Sequence, residues 1–172
     1  MPTKPGIQLS WLKEAPSAGK PFIGMVVGWQ TVVETINATV ARFNDRYFKQ
    51  EEGQEMKVIA AKQAVIAALK ELAVALGNWR GKLAKAGHLS EESKRLWKSI
   101  EPVVRRVDQF KDVRNCAFHF GDFLSDPDDL AAMYEEIRDA DLGMLNESLK
   151  ALEGYGFRLR DDALAASEAV GP

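Results

Sequence analysis

Apolar side chains recur every three to four residues along most of the chain, the spacing that places them on one face of an α-helix. Polar or glycine-containing breaks divide this pattern into four segments. The segments begin near Phe22, Gln54, Ser90 and Pro127, and they extend to about Tyr47, Lys85, Ala117 and Leu152. No run of alternating residues predicts a series of strands. The pattern therefore predicts an all-α fold, an up-and-down four-helix bundle.

Local signals predict where several helices begin and end. Gly87 follows the second segment, where a glycine commonly terminates a helix. Ser90 is a favourable N-cap, and two acidic residues follow it. Pro102 predicts a kink in the third helix or two abutting helices at that point. Asp141 interrupts the apolar face of the fourth helix, and the run Gly154–Gly156 predicts its end.

The two ends of the chain differ in composition from the middle. Four prolines and two glycines in the first 21 residues predict an irregular N-terminal arm. The last sixteen residues are small and acidic, which predicts a tail or a short helix. The predicted parts are the arm over 1–21, a helical-bundle domain over 22–156 and the acidic tail or short helix over 157–172.

Charge is distributed unevenly, although the formal net charge of the chain is only -2. Residues 80–121 hold ten basic and five acidic residues, a net of +5. Residues 122–172 hold four basic and thirteen acidic residues, a net of -9. A basic middle could attract a phosphate backbone locally. The alternative is that these charges belong to solvated outer faces of helices.

Composition excludes several other classes of protein. The one cysteine, Cys116, rules out an internal disulfide. The two histidines lie far apart and no cysteine pair has metal-ligand spacing, so neither a metal nor another cofactor is predicted. The N-terminus lacks a signal-peptide pattern, and no apolar run is long enough to span a bilayer. We therefore expect a cytoplasmic protein without a membrane partner.

One short segment near the end of the predicted third helix groups side chains that could act on a phosphodiester. Asn115 and His119 are four residues apart and share a helix face. Arg114 lies five residues before His119, and its long side chain could reach the same point. Imidazole can transfer a proton near neutral pH. A guanidinium can hold a phosphate through two hydrogen bonds. The segment therefore holds groups that could cleave a phosphodiester such as that of RNA without a metal.

Residues 114–119, RNCAFH, match the R-N-x-x-x-H pattern of HEPN domains, and the chain resembles that family. Its members are small helical bundles, many of them metal-independent endoribonucleases in toxin–antitoxin and phage-defence systems. The resemblance implies that Arg114 and His119 are catalytic, with Asn115 in support. It also implies an RNA substrate, an antitoxin protein as a partner, and a homodimer whose two motifs form one site. The match covers six residues by motif and roughly 22–153 by architecture.

Several alternatives remain open at this stage. Glu34 and Asp112 are candidates for holding the His119 tautomer, and Asp122 is another nearby carboxylate. His88 is a poor second imidazole for acid–base catalysis, since its position beside Gly87 predicts a surface or helix-capping role. A dimer would instead supply the second histidine from the other protomer. Alternatively, His119 only bonds a helix-terminal carbonyl. The chain would then be a non-catalytic module that binds RNA, a nucleotide or a protein partner.

Overall fold

The computed structural model describes residues 13–48, 55–110 and 127–170. Within these ranges the fold is all-α, as predicted, and contains no strand. The helices are α1 (Lys20–Phe48), α2 (Glu55–Lys85), α3 (Glu91–Asp108), α4 (Pro127–Asp139) and α5 (Leu142–Ala169). The prediction for α2 is confirmed almost to the residue. The first helix begins at Lys20, just inside the predicted arm, after a turn in which the Pro16 carbonyl accepts from Gly19 and Lys20.

Helices α1, α2 and α5 pack against one another and form the centre of the bundle. Helix α3 packs on α5 and α2, and α4 packs on α2. Trp29 of α1 is only 1% exposed, and its ring meets Trp79 of α2 and Phe157 of α5 edge to face. Buried aromatic side chains remove about 150–250 Å² each from water and dominate the energetics of a core. This aromatic cluster therefore joins all three central helices.

The connection from α2 to α3 is formed by local backbone chemistry. Gly87 has a φ of 75°, a conformation that glycine adopts without steric cost. The amide of His88 donates to the Leu83 carbonyl, and that of Gly87 donates to Ala84, which together form a Schellman motif. Ser90 then caps α3 by accepting a hydrogen bond from the Ser93 amide at 3.2 Å. Both predicted helix boundaries are confirmed here.

Helix α3 ends at Asp108, although the apolar pattern predicted a helix continuing to about Ala117. After Asp108 the backbone tightens, and the Phe110 amide donates to the Val107 carbonyl at 3.2 Å. In such an i to i+3 turn, residues three apart lie on the same side. Val107 and Phe110 are both buried in the core, so the tighter turn brings both side chains inward. Pro102 lies within α3 on its exposed surface.

The segment predicted as one fourth helix forms two helices, because Asp141 starts a new one. Its backbone is extended (φ -72°, ψ 120°) and its side chain accepts from the Met144 amide at 2.7 Å. An aspartate in this position competes with a continuous helix by bonding the backbone itself. Asp141 therefore caps α5, where the sequence pattern had indicated only an interruption.

Helix α5 continues through Gly154 and Gly156, so the predicted helix end in this run is wrong. The segment predicted as a tail or short helix is the second half of α5, and Leu159, Ala163 and Ala166 are buried in the core. Gly156 lies directly against Trp29: a Cβ at this position would come within 2.7 Å of Cζ2 and closer still to two other ring carbons. The glycine thus gives the indole ring its place in the core.

Candidate functional site

The residues that the sequence motif identifies lie outside the described part of the chain. Arg114, Asn115 and His119 all fall within 111–126, as does the supporting candidate Asp112. Their catalytic assignment therefore stays a prediction. Glu34 is described: it is exposed on α1, and its carboxylate accepts a hydrogen bond from Gln30 at 3.0 Å. Both residues of this contact lie on the surface of α1, and Gln30 is not one of the candidate site residues.

The chain is well anchored immediately before residue 111. The ammonium of Lys70 on α2, with a side chain only 8% exposed, forms an ion pair with the carboxylate of Asp108 at the end of α3. Phe110 is buried two residues later. Because Lys70 is largely desolvated, its attraction to Asp108 is less screened than that of a surface pair. The end of α3 is therefore held on α2 by charge as well as by apolar packing.

A second buried lysine anchors the chain where α4 ends. Lys62 of α2 donates to the carbonyls of Arg138 at 2.6 Å and Ala140 at 3.1 Å. The last carbonyls of a helix lack partners within that helix, so these bonds cap α4. Burial lowers the pKa of the Lys62 ammonium, while the carboxylates of Asp139 and Asp141 act in the opposite direction. Thus α2 fixes the end of α3 and the end of α4, on either side of the motif in sequence.

A polar cluster joins α5 to the beginning of α3. The buried Asp162 carboxylate accepts from the Ser90 amide (3.1 Å), the Ser90 hydroxyl (3.1 Å) and the Ser93 hydroxyl (2.6 Å). Arg158 bridges this carboxylate, at 3.4 Å, to Glu92 at 3.3 Å. Because its oxygens already accept from several donors, Asp162 has the role of a structural cap rather than a general base.

Sequence reasoning missed this cluster because it assigned Asp162 to the acidic tail. The partners are 69 and 72 residues away, so no local spacing connects them. One signal was available: an aspartate is seldom placed among Leu159, Ala163 and Ala166 on an apolar helix face unless it has partners. A continuous helical pattern across residues 154–166 would have shown Asp162 on that face.

Next to this cluster lies an aromatic and cationic contact. The guanidinium of Arg80 on α2 sits 4.8 Å from the ring centroid of Trp97 on α3, within cation–π distance. Trp97 in turn contacts Tyr155 at 5.6 Å between centroids. Burial is the largest cause that raises the pKa of Tyr155 to about 12. The phenol therefore remains protonated at any physiological pH and does not act as a base here.

His88 lies at the predicted helix-capping position, but its side chain is not on the open surface. Its ring is partly buried and meets Phe22 edge to face at 5.2 Å, and its amide belongs to the Schellman motif. The side chain contacts an aromatic ring of the core. His88 therefore belongs to the packing at the beginning of α1 and the end of α2.

A groove of about 750 Å³ runs between α1 and α2. Its walls consist mainly of small and β-branched residues. The hydroxyls of Thr35 and Thr39 donate to carbonyls of their own helix, those of Thr31 and Thr35, at 2.9 and 2.8 Å. The groove thus offers apolar surface and side chains that are mostly without acid–base chemistry.

The outer face of α3 carries charged side chains of both signs, and the whole helix holds five basic and four acidic residues. Five basic residues are exposed there, while Ile100 and Val107 are buried on the opposite side. The basic residues are Lys94, Arg95, Lys98, Arg105 and Arg106. The basic residues that α3 contributes to the middle of the chain are therefore exposed, and Glu91, Glu92 and Asp108 of the same helix are exposed as well.

Comparisons with known proteins give no relative: no family model matches the chain, and neither a curated protein nor a solved structure shows significant similarity to it. Within the described ranges, no three His, Cys, Asp or Glu side chains are grouped so that they could hold a metal ion. No helix in those ranges combines the length and apolar character needed to cross a membrane.

Proposed function

We propose that the chain is a metal-independent endoribonuclease of the HEPN type, acting as a cytoplasmic homodimer. The observation that carries this proposal is the R-N-x-x-x-H motif at Arg114, Asn115 and His119. Its setting supports it, because the motif follows a long helix of an all-helical domain and another helix begins at Pro127. The anchored end of α3 and the basic outer face of that helix also suit a site that handles a polyanion.

The reaction needs two proton transfers. A base removes the proton of a ribose 2′-OH, the 2′-oxygen attacks the adjacent phosphorus, and the bond from phosphorus to the 5′-oxygen breaks. An acid gives the departing 5′-oxygen its proton. The products are a 2′,3′-cyclic phosphate and a 5′-OH end. His119 and its copy in a second protomer would serve as base and acid, while Arg114 would stabilise charge on the phosphate oxygens.

The test is cleavage of a labelled single-stranded RNA in EDTA by the purified chain. We expect cyclic-phosphate ends from the unmodified protein and at least a hundredfold slower cleavage with His119→Ala or Arg114→Ala. Cys116→Ala is a matched control in the same segment and should retain the activity. Circular dichroism and thermal unfolding establish that each variant folds.

Two results would contradict the proposal. Equal cleavage by the unmodified protein and both variants would remove Arg114 and His119 from the site. RNA binding by the unmodified protein without any cleavage would favour a binding module instead. The dimeric part is tested separately by sedimentation, since a fully active monomer would show that one copy of the motif is enough.

A further inference from the structure

The acidic residues of α3 are already engaged in ion pairs. Two of them neutralise neighbours on the same helix, and the other two turn toward α5 and α2. The pairs are Glu91 with Lys94 at 2.5 Å, Glu101 with Arg105 at 2.9 Å, Glu92 with Arg158 at 3.3 Å, and Asp108 with Lys70. Arg95, Lys98 and Arg106 form no ion pair with any described residue. We call these three residues the α3 basic face.

The α3 basic face follows one side of the helix. With a step of 100° and a rise of 1.5 Å per residue, Arg95 and Arg106 lie about 20° apart around the axis and about 16 Å apart along it. Lys98 lies between them along the axis and about 60° from Arg95 around it. All three are exposed, and the buried Ile100 and Val107 lie on the far side. A strand that runs along α3 could therefore contact all three side chains.

The position of this face favours a polyanion as its occupant. Helix α3 leads at Asp108 and Phe110 directly into the segment that carries the motif in sequence. The chain as a whole offers little general attraction for phosphate, since its formal net charge is -2. Attraction for phosphate is therefore local, and on α3 three exposed cations that form no ion pair with a described residue share one side of the helix. Lysine and arginine at such positions bind nucleic acids mainly through backbone phosphates.

We propose that the α3 basic face binds the phosphate backbone of the RNA. The inference rests on the proposed function only in taking RNA as the substrate. Contacts of this kind position a strand and carry no sequence information. The face would therefore contribute affinity and salt dependence, and the choice of cleavage position would come from other residues.

The test measures binding rather than cleavage, in EDTA and with His119→Ala present in every protein, so that the RNA stays intact. A fluorescent, short single-stranded RNA of mixed sequence is titrated at several salt concentrations. One protein carries Arg95→Gln, Lys98→Gln and Arg106→Gln. The matched control removes the same charge from three exposed basic residues of α1, α2 and α5, by Arg42→Gln, Lys57→Gln and Lys150→Gln.

Each phosphate contact on a single strand contributes about 0.7 to the slope of log K against log salt concentration. Loss of three contacts should make this negative slope less steep by about 2. Binding then weakens about a hundredfold at 0.1 M salt and only about fourfold at 0.5 M. The control should keep its slope. Equal losses in both triple variants, no loss in either, or no RNA binding by the parent protein would overturn the inference. Failure of cleavage in the earlier assay, with the α3 slope change present, would overturn only the proposed function.

Discussion

Two glycines on one helix should respond in opposite directions to the same substitution. Gly154 and Gly156 both lie within α5, and alanine favours a helix interior over glycine by about 1 kcal/mol. Gly154 is exposed, and an added Cβ meets nothing within 4 Å. Gly154→Ala should therefore raise the free energy of unfolding by about 0.5–1 kcal/mol.

Gly156→Ala should destabilise the protein, because the new methyl group would overlap the Trp29 ring. The ring has no free space to move into, since it is 1% exposed and lies edge to face against Trp79 and Phe157. Overpacking of a core typically costs about 1–3 kcal/mol, and an overlap with a rigid indole belongs at the upper end. After the gain in helix propensity, the net loss should be about 2 kcal/mol.

Urea unfolding of both variants measures these changes, with the m-value as a check that the unfolding transition is unchanged. For a chain of this length, about 2 kcal/mol corresponds to a fall in Tm of about 4–8 °C. A double-mutant cycle with Trp29→Leu tests the cause, because Gly156→Ala should cost much less once the ring is removed. An equal cost with and without Trp29, or stabilisation by Gly156→Ala, would refute the proposed contact.

Two further substitutions test the polar cluster. Asp162→Ala should lower the free energy of unfolding by about 3 kcal/mol, because it leaves Ser90, Ser93 and Arg158 without a buried acceptor. The control, Asp161→Ala, removes an exposed carboxylate that pairs with the neighbouring Arg160. It should change the free energy of unfolding by less than about 0.5 kcal/mol. Comparable effects of the two in urea unfolding would contradict the role of Asp162. Because the folded-state pKa of Tyr155 is about 12 and its ordinary value is 10.0, the unfolded chain loses this proton first, so stability should fall as pH rises from 10 toward 12. Tyr155→Phe should lack that part of the fall, and an identical pH dependence in both proteins would argue against burial of the phenol.

The assignment of the functional motif rests on the sequence alone. Arg114 and His119 were chosen from residue chemistry and a six-residue pattern, and they lie outside the described ranges. For the uneven charge distribution, in contrast, the structure adds information to the sequence. Sequence alone located an excess of basic residues in 80–121, and the structure separates those engaged with carboxylates from the α3 basic face. Both pairs lie within α3, and the structure decides which of the neighbouring cations each carboxylate meets.

The sequence by itself determined the features whose causes lie within a few residues. The apolar period defined α2, Gly87 supplied the left-handed conformation at its end, and Ser90 capped α3. Each depends on backbone hydrogen bonds or side-chain spacing within about one helical turn. For this reason the all-α class and these boundaries could be predicted without any knowledge of the packing.

Only the tertiary structure decided the features whose partners are distant in the chain. The Gly-Tyr-Gly segment 154–156, where the sequence predicted a helix end, lies within α5, and Gly156 leaves the space that Trp29, more than a hundred residues earlier, occupies. Asp162 of the predicted acidic tail became a buried cap for α3, and Lys62 became a cap for α4. The physical reason is the same in all three cases. Burial brings a side chain into contact with groups that are distant in sequence, and those contacts decide which residue type the position tolerates.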